Sequence, residues 1–341
     1  MSASMPSPET RRGAVPSPLG VITLPDRPVS AGQGCVVQLP LEWLAGKPGD
    51  AAEGFLLDQE VETKTGVGHC LATSRGFSFG VIELDEQAGL ADGTERAYRQ
   101  LFDLLEQSNT PHLWRVWQYL PAINADDPET GLERYRLFNQ GRAAAFSATG
   151  RDVATSAPAA CALGSDEGGS GRLIFLAANT PATPIENPRQ VSAYRYPPNY
   201  GPKSPIFARA AIARGPVHDW LFISGTASIT GHATRHVGDI HAQIDETLAN
   251  LEAVRQVANA ERTAGSAAFD FDASALIRVY LRHPQDLEPA RERLTQWLSG
   301  PSQVMFLRAD ICRADLLVEI EATLRQPRGN DVVEHAPWTH L

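Results

Sequence analysis

Two carboxylates set in an apolar run, Leu316-Leu317-Val318-Glu319-Ile320-Glu321-Ala322, are the residues best placed for chemistry. Alternation along this stretch predicts a strand with both acids on one face. Burial penalises the charged form of a carboxylic acid, so a half-buried glutamate keeps its proton near neutral pH and has it to give. Glu319 and Glu321, two residues apart, are the candidates for that proton donor. Cys312 precedes Glu319 by seven residues and falls on the preceding strand in this reading. Cys312 and the acid would then form one wall of a small, dry pocket.

The elements that must position them follow from periodicity. Apolar alternation predicts strands over 35–39, 77–84, 112–120, 172–178, 207–213, 220–224, 275–282, 303–310 and 316–324. Helical spacing marks 93–108, 131–146, 238–260 and 287–299. Trp114 and Trp117 read as core. The patch 164–170 reads as a hairpin or loop, and 181–205 as a connector whose Tyr194, Tyr196 and Tyr200 point to function. From Phe207 onward the order is ββαβαββ, an α+β arrangement with helices on one face of a mixed sheet. The first half repeats parts of that order, so two related halves are expected, with no residue-level repeat visible. The expected organisation is a flexible tail over 1–28, an α+β domain over 29–185, a second domain over 186–326 and a tail over 327–341.

Composition narrows the partners. The 341 residues carry a formal charge of −10, which argues against nucleic acid or an anionic membrane as the main partner. No apolar run approaches the roughly 20 residues of a membrane span. Cys35, Cys70, Cys161 and Cys312 lie far apart without metal-ligand spacing, which predicts reduced thiols and a cytoplasmic protein. His232, His236 and His241 read as polar surface, so neither metal nor cofactor is expected. Glu133-Arg134 and Arg291-Glu292-Arg293 read as solvated helix faces.

The closing Val318-Glu319-Ile320-Glu321-Ala322, with Phe222-Ile223-Ser224-Gly225-Thr226-Ala227, Gln243 and Leu248-Ala249-Asn250-Leu251, resembles the RidA/YjgF fold over about residues 190–326. Three further blocks are similar to those of the chorismatases, RidA-like proteins with an added N-terminal domain. They are Phe138-Asn139-Gln140-Gly141-Arg142, the run from Glu186 to Tyr196, and Tyr200-Gly201-Pro202-Lys203-Ser204-Pro205. RidA deaminases place a carboxylate-binding Arg about fifteen residues before the pocket glutamate. Here that zone is Gln303-Val304-Met305-Phe306, which speaks against imine deamination.

The resemblance implies chorismate as substrate, and Glu319 as the acid that protonates the terminal methylene of its enolpyruvyl ether. An oxygen nucleophile then traps the oxocarbenium ion. It also implies a subgroup. Members forming 3-hydroxybenzoate and pyruvate carry Cys and Gly at the positions of Cys312 and Gly225, where Gly225 would leave room for the substrate. Hydrolytic members, which give a dihydroxycyclohexadiene carboxylate, have Ala at the latter position. Two substrate carboxylates call for cations, and the candidates are Arg142, Lys203, Arg209 and Arg293, with Tyr196 as a hydrogen-bonding partner. The hydrolytic reaction, and a non-catalytic RidA-like binder of small anions, are the alternatives. RidA domains assemble as trimers, and two related halves would allow a monomer to satisfy the same surface, so monomer and trimer both stay open.

Overall fold

The computed structural model describes residues 17–24, 34–47, 52–57, 59–165, 169–216, 218–262, 266–300, 302–327 and 338–340. Two seven-stranded sheets dominate the fold. The first runs in spatial order Glu62–Gly66, His69–Ser74, Phe77–Glu83, Arg172–Ala178, His112–Pro121, Ala159–Ser165, Asp310–Ile311. The second runs Thr183–Ile185, Ala210–Arg214, His218–Ala227, Val318–Pro327, Leu276–Leu281, Gln303–Arg308, Glu42–Ala45. In both, the fifth and sixth strands are parallel and every other neighbouring pair is antiparallel. Each half therefore follows the same path: hairpin, helix, strand, helix, strand, and a last strand inserted at the centre. The α+β expectation and the two related halves both hold.

The helices Leu90–Gln107 and Arg134–Ala148 cover the outer face of the first sheet through Leu101, Leu105, Phe138 and Phe146. Close approach of these two helices depends on Gly141, where a Cβ would stand 2.1 Å from the carbonyl oxygen of Ala91. Ile240–Ala260 and Leu287–Trp297 cover the second sheet in the same way, with Ile244, Leu248 and Leu251 turned inward. Asp239 starts the longer of them by accepting the backbone N–H of Ala242 at 3.1 Å. The inner faces of both sheets share a third core, built from Trp114, Trp117, Tyr119, Trp220, Phe222 and Tyr280. None of the described helices is long and apolar enough to cross a membrane.

A repeat invisible in the sequence becomes visible through register. Arg115 pairs with Leu176 and Trp117 with Ile174 in the first sheet. In the second, Arg278 pairs with Glu321 and Tyr280 with Glu319. Arg115-Val116-Trp117 thus corresponds to Arg278-Val279-Tyr280, with a bulge at Trp114 breaking the match beyond it, and the two glutamates correspond to a pair of aliphatic residues.

Four expectations are corrected. The N-terminal tail contains a strand, Ser17–Thr23, which lies between Cys35–Gln38 and Ala52–Leu57 and whose buried Leu19 and Ile22 enter the shared core. Its short apolar run is hidden in Pro- and Gly-rich sequence. At the other terminus Trp338–His340 pairs with Ala52–Leu57, so that segment is not a free tail. Cys35 and Cys70 form a disulfide, which ties this small sheet to the first large one, while Cys161 and Cys312 are free. The wide sequence separation of the two half-cystines concealed that their strands meet, and the cytoplasmic expectation loses the support it drew from reduced thiols. The boundary at 185/186 is also crossed in both directions, since Glu42–Ala45 edges the second sheet and Asp310–Ile311 the first.

Candidate active site

The strand Val318–Pro327 lies between His218–Ala227 and Leu276–Leu281, buried on both faces. Its pairing with His218–Ala227 slips between Ile223 and Thr226, a bulge that turns Gly225 toward Glu319. A Cβ on Gly225 would stand 1.9 Å from Glu319 Oε1, 2.7 Å from its Cδ and 3.1 Å from Cys161 Cβ. Gly225 also lines the cavity, and a side chain there would meet the carboxyl of Glu319. An alanine there would oblige the carboxyl to shift.

The two glutamates share a face and differ in everything else. Glu321 accepts from Arg278 Nη1 at 2.9 Å, Tyr280 OH at 3.0 Å and Trp117 Nε1 at 3.1 Å, and from Arg115 Nη2. Although burial opposes it, the charges of Arg115 and Arg278 hold its carboxyl below the usual carboxylate range. Glu319 is equally buried, and its Oε1 has no hydrogen-bond partner. Loss of water pushes its pKa up to about 8, the nearby charge of Glu321 adds to the rise, and Arg115 and Arg209 offset part of it. The two acids are thus an ionised glutamate locked in ion pairs and a largely neutral one facing open space.

That space is a cavity of about 460 Å³ with Glu319 and Gly225 in its wall. Cys312 also lines it, directly after the strand Asp310–Ile311 in the turn before Val318–Pro327 rather than on a strand. Burial and the neighbouring Glu319 push the Cys312 thiol up to about 12, so it is a neutral S–H. Arg209 is buried; its Nη2 donates to Tyr196 OH and to Val191 O, both at 2.8 Å, and its Nε has no partner. Arg313 lies over the Tyr200 ring at 4.2 Å and the Tyr196 ring at 5.3 Å, with Nη1 donating to His232 O at 2.9 Å. Arg136, pairing with Glu133 at 3.2 Å, completes the cationic side, and Tyr135 adds a neutral phenol. Guanidinium groups on one side and a neutral carboxylic acid on the other suit a small polyanion that must receive a proton.

Glu319, Cys312, Tyr196, Arg209 and Gly225 are brought together in this cavity. Three other candidates are not. Arg142 is sealed in the interior, donating to Gln118 Oε1 at 2.8 Å and Asn139 Oδ1 at 2.5 Å over the Phe138 ring. Its helix meets the cavity earlier, through Tyr135 and Arg136. Lys203 is exposed and outside the lining. Arg293 sits on the surface, paired with Asp245 at 2.5 Å. Among the described residues no cluster of His, Cys, Asp and Glu has the geometry to hold a metal ion. Tyr135, Arg136 and Arg313 are not among the sequence candidates, and Tyr200, marked there only as one of the connector's functional tyrosines, joins them in the lining. Arg313 follows Cys312 directly and Tyr200 stands in a motif block, so adjacency was the available signal.

Comparison with known proteins agrees with this geometry. Residues 53–177 match the family model described as chorismatase FkbO/Hyg5-like, N-terminal. A 3-hydroxybenzoate synthase of Streptomyces hygroscopicus is 35% identical over 291 residues, covering 84% of this chain and 85% of that protein. A chorismatase of Streptomyces rapamycinicus is 37% identical over 278 residues, covering 80% and 82%. A chorismatase crystal structure superposes with a TM-score of 0.79 at 32% identity, over 93% of this chain and 95% of that one. With identity at this level spread across both halves and the same fold throughout, this chain belongs to the chorismatase family.

Proposed function

We propose that this protein converts chorismate to 3-hydroxybenzoate and pyruvate without metal or cofactor. The observation that carries the reading is Glu319, a buried carboxyl with a pKa raised to about 8, facing a cavity that also holds Arg209 and Arg313. Chorismate is a dicarboxylate, and these arginines, with Arg136 and the Tyr196 hydroxyl, are the groups that would hold its two charges. Glu319 protonates the methylene carbon of the enolpyruvyl ether, giving an oxocarbenium ion beside the carboxylate left behind. General acid catalysis of this kind typically supplies ~10²–10⁴-fold, and positioning by the cationic side supplies the remainder.

The fate of the cation decides the product. Trapping by the substrate's own C4 hydroxyl, followed by aromatisation, gives 3-hydroxybenzoate and pyruvate, whose atoms together equal those of chorismate. Trapping by water gives pyruvate and a dihydroxycyclohexadiene carboxylate. The first course is supported by Gly225, which seats the acid, by Cys312 in the cavity wall, and by similarity to a protein named 3-hydroxybenzoate synthase. The test is incubation of the purified protein with chorismate, products being identified by chromatography and mass. Pyruvate with 3-hydroxybenzoate is expected, and Cys312→Ala is expected to change the product ratio. Pyruvate with the dihydrodiol would retain the substrate and replace the product; no pyruvate would leave a RidA-like binder of small anions.

A further inference from the structure

Four charged groups buried between the sheets take no direct part in that chemistry. Arg278 donates from Nη2 to Glu53 Oε2 at 2.6 Å and from Nη1 to Glu321 Oε1 at 2.9 Å, and Arg115 donates to Glu321 Oε2. All four side chains are almost completely shielded from water. Such an array is weak evidence for stability, because apolar residues of similar volume often do as well or better. The first half of this chain supplies the comparison. At the same register it has Ile174 and Leu176 in place of the two glutamates, packed in the shared core.

The array does govern which carboxylate meets a cation. Glu319 and Glu321 project from the same face of one strand, and Arg115 comes from the opposite sheet to that face. We propose that Glu321 is a positioning residue: by engaging Arg115 and Arg278 it withholds both cations from Glu319 and sets a negative charge beside it, so that Glu319 stays protonated and able to donate. This rests on the assignment of Glu319 as the acid. The groups around Glu319 come from several elements: Tyr280 stands opposite it on Leu276–Leu281, and Arg136, Tyr196 and Arg313 line the cavity it faces. Arg115 and Cys161 come from the first sheet, Arg209 from the segment before Ala210–Arg214, Cys312 from the turn before its own strand, and Tyr135 from the helix Arg134–Ala148. Both thiols and the phenol are neutral because burial raises their pKa values. Glu321, Arg115 and Arg209 therefore set the local field, and Arg209 is already turned to Tyr196 and Val191.

The test pairs two variants of opposite sign. Pyruvate release from chorismate is followed between about pH 5.5 and 9.5, and the side-chain carboxyl ¹³C resonances of unliganded protein are titrated in parallel. Glu319→Gln assigns the resonance of interest. Glu321→Gln frees Arg115 from its carboxylate, leaves Arg278 with Glu53, and removes the adjacent charge, so the descending limb and the Glu319 midpoint move at least one unit toward acid. That is a tenfold greater loss of rate at alkaline than at acid pH. Arg115→Gln removes a cation and moves both toward alkali, a shift readable even where Glu321→Gln fails to fold. Equal loss of rate at every pH, with the Glu319 midpoint unmoved in both variants, overturns the role of Glu321 alone. A Glu319→Gln enzyme that still releases pyruvate overturns the acid assignment instead.

Discussion

Keeping a carboxylic acid neutral inside a protein has a thermodynamic signature separate from its chemistry. The pKa of Glu319 rises from 4.5 toward about 8 on folding, so the native state holds a proton that the unfolded chain has released over that interval. Stability is therefore fully present below about pH 4.5 and falls as the pH rises toward about 8. Glu319→Gln removes this dependence. The variant is expected to be inactive yet more stable than the parent by about 3 kcal/mol at pH 7, with little difference at pH 5. Guanidinium melts at both values check the sign. A second residue-scale expectation concerns Gly225. Alanine there places a methyl group on the acid itself, at 1.9 Å from Oε1, so Gly225→Ala must displace the carboxyl. The expected outcome is at least a tenfold slower release of 3-hydroxybenzoate and a larger share of dihydrodiol, read by chromatography.

At the scale of elements, the strands and helices that hold the site were legible wherever the hydrophobic period ran unbroken. The helix Ile240–Ala260 and the strand Arg172–Ala178 stand within two residues of their sequence-based limits. The strand Ser17–Thr23 was lost among prolines and glycines, and the bulge at Gly225 has no periodic signature at all. For the site, a motif block marks Tyr196 and the need for cations marks Arg209, but a block also draws attention to Arg142, one face of a helix away from Arg136. Arg313 escaped because its meaning depends on Tyr200, more than a hundred residues earlier, folding onto it. The Cys35–Cys70 link is a further pairing that only tertiary structure supplies. Closing a loop of 35 residues, it is expected to contribute ~2–4 kcal/mol, so Cys35→Ser should lower the denaturant midpoint by a corresponding amount.

Considered as one molecule, the protein has two sheets of identical strand order that each complete the other. Glu42–Ala45 finishes the edge of the second sheet and Asp310–Ile311 that of the first. Arg115 of the first half supplies a counter-charge to Glu321 of the second. Residues 186–326 expressed alone would lack both that edge strand and that cation, and are expected to give neither a soluble fold nor pyruvate release. The full chain is expected to unfold in a single transition by circular dichroism and fluorescence alike.

The register match of Arg115 with Arg278, and of Ile174 and Leu176 with the two glutamates, carries one further implication. The first sheet has aliphatic side chains where the second has acids, both have an arginine at the matching position, and Arg115 of the first pairs with Glu321 of the second. The two halves are therefore unequal partners: the acids stand on one sheet only, and the other sheet faces them with the guanidinium of Arg115.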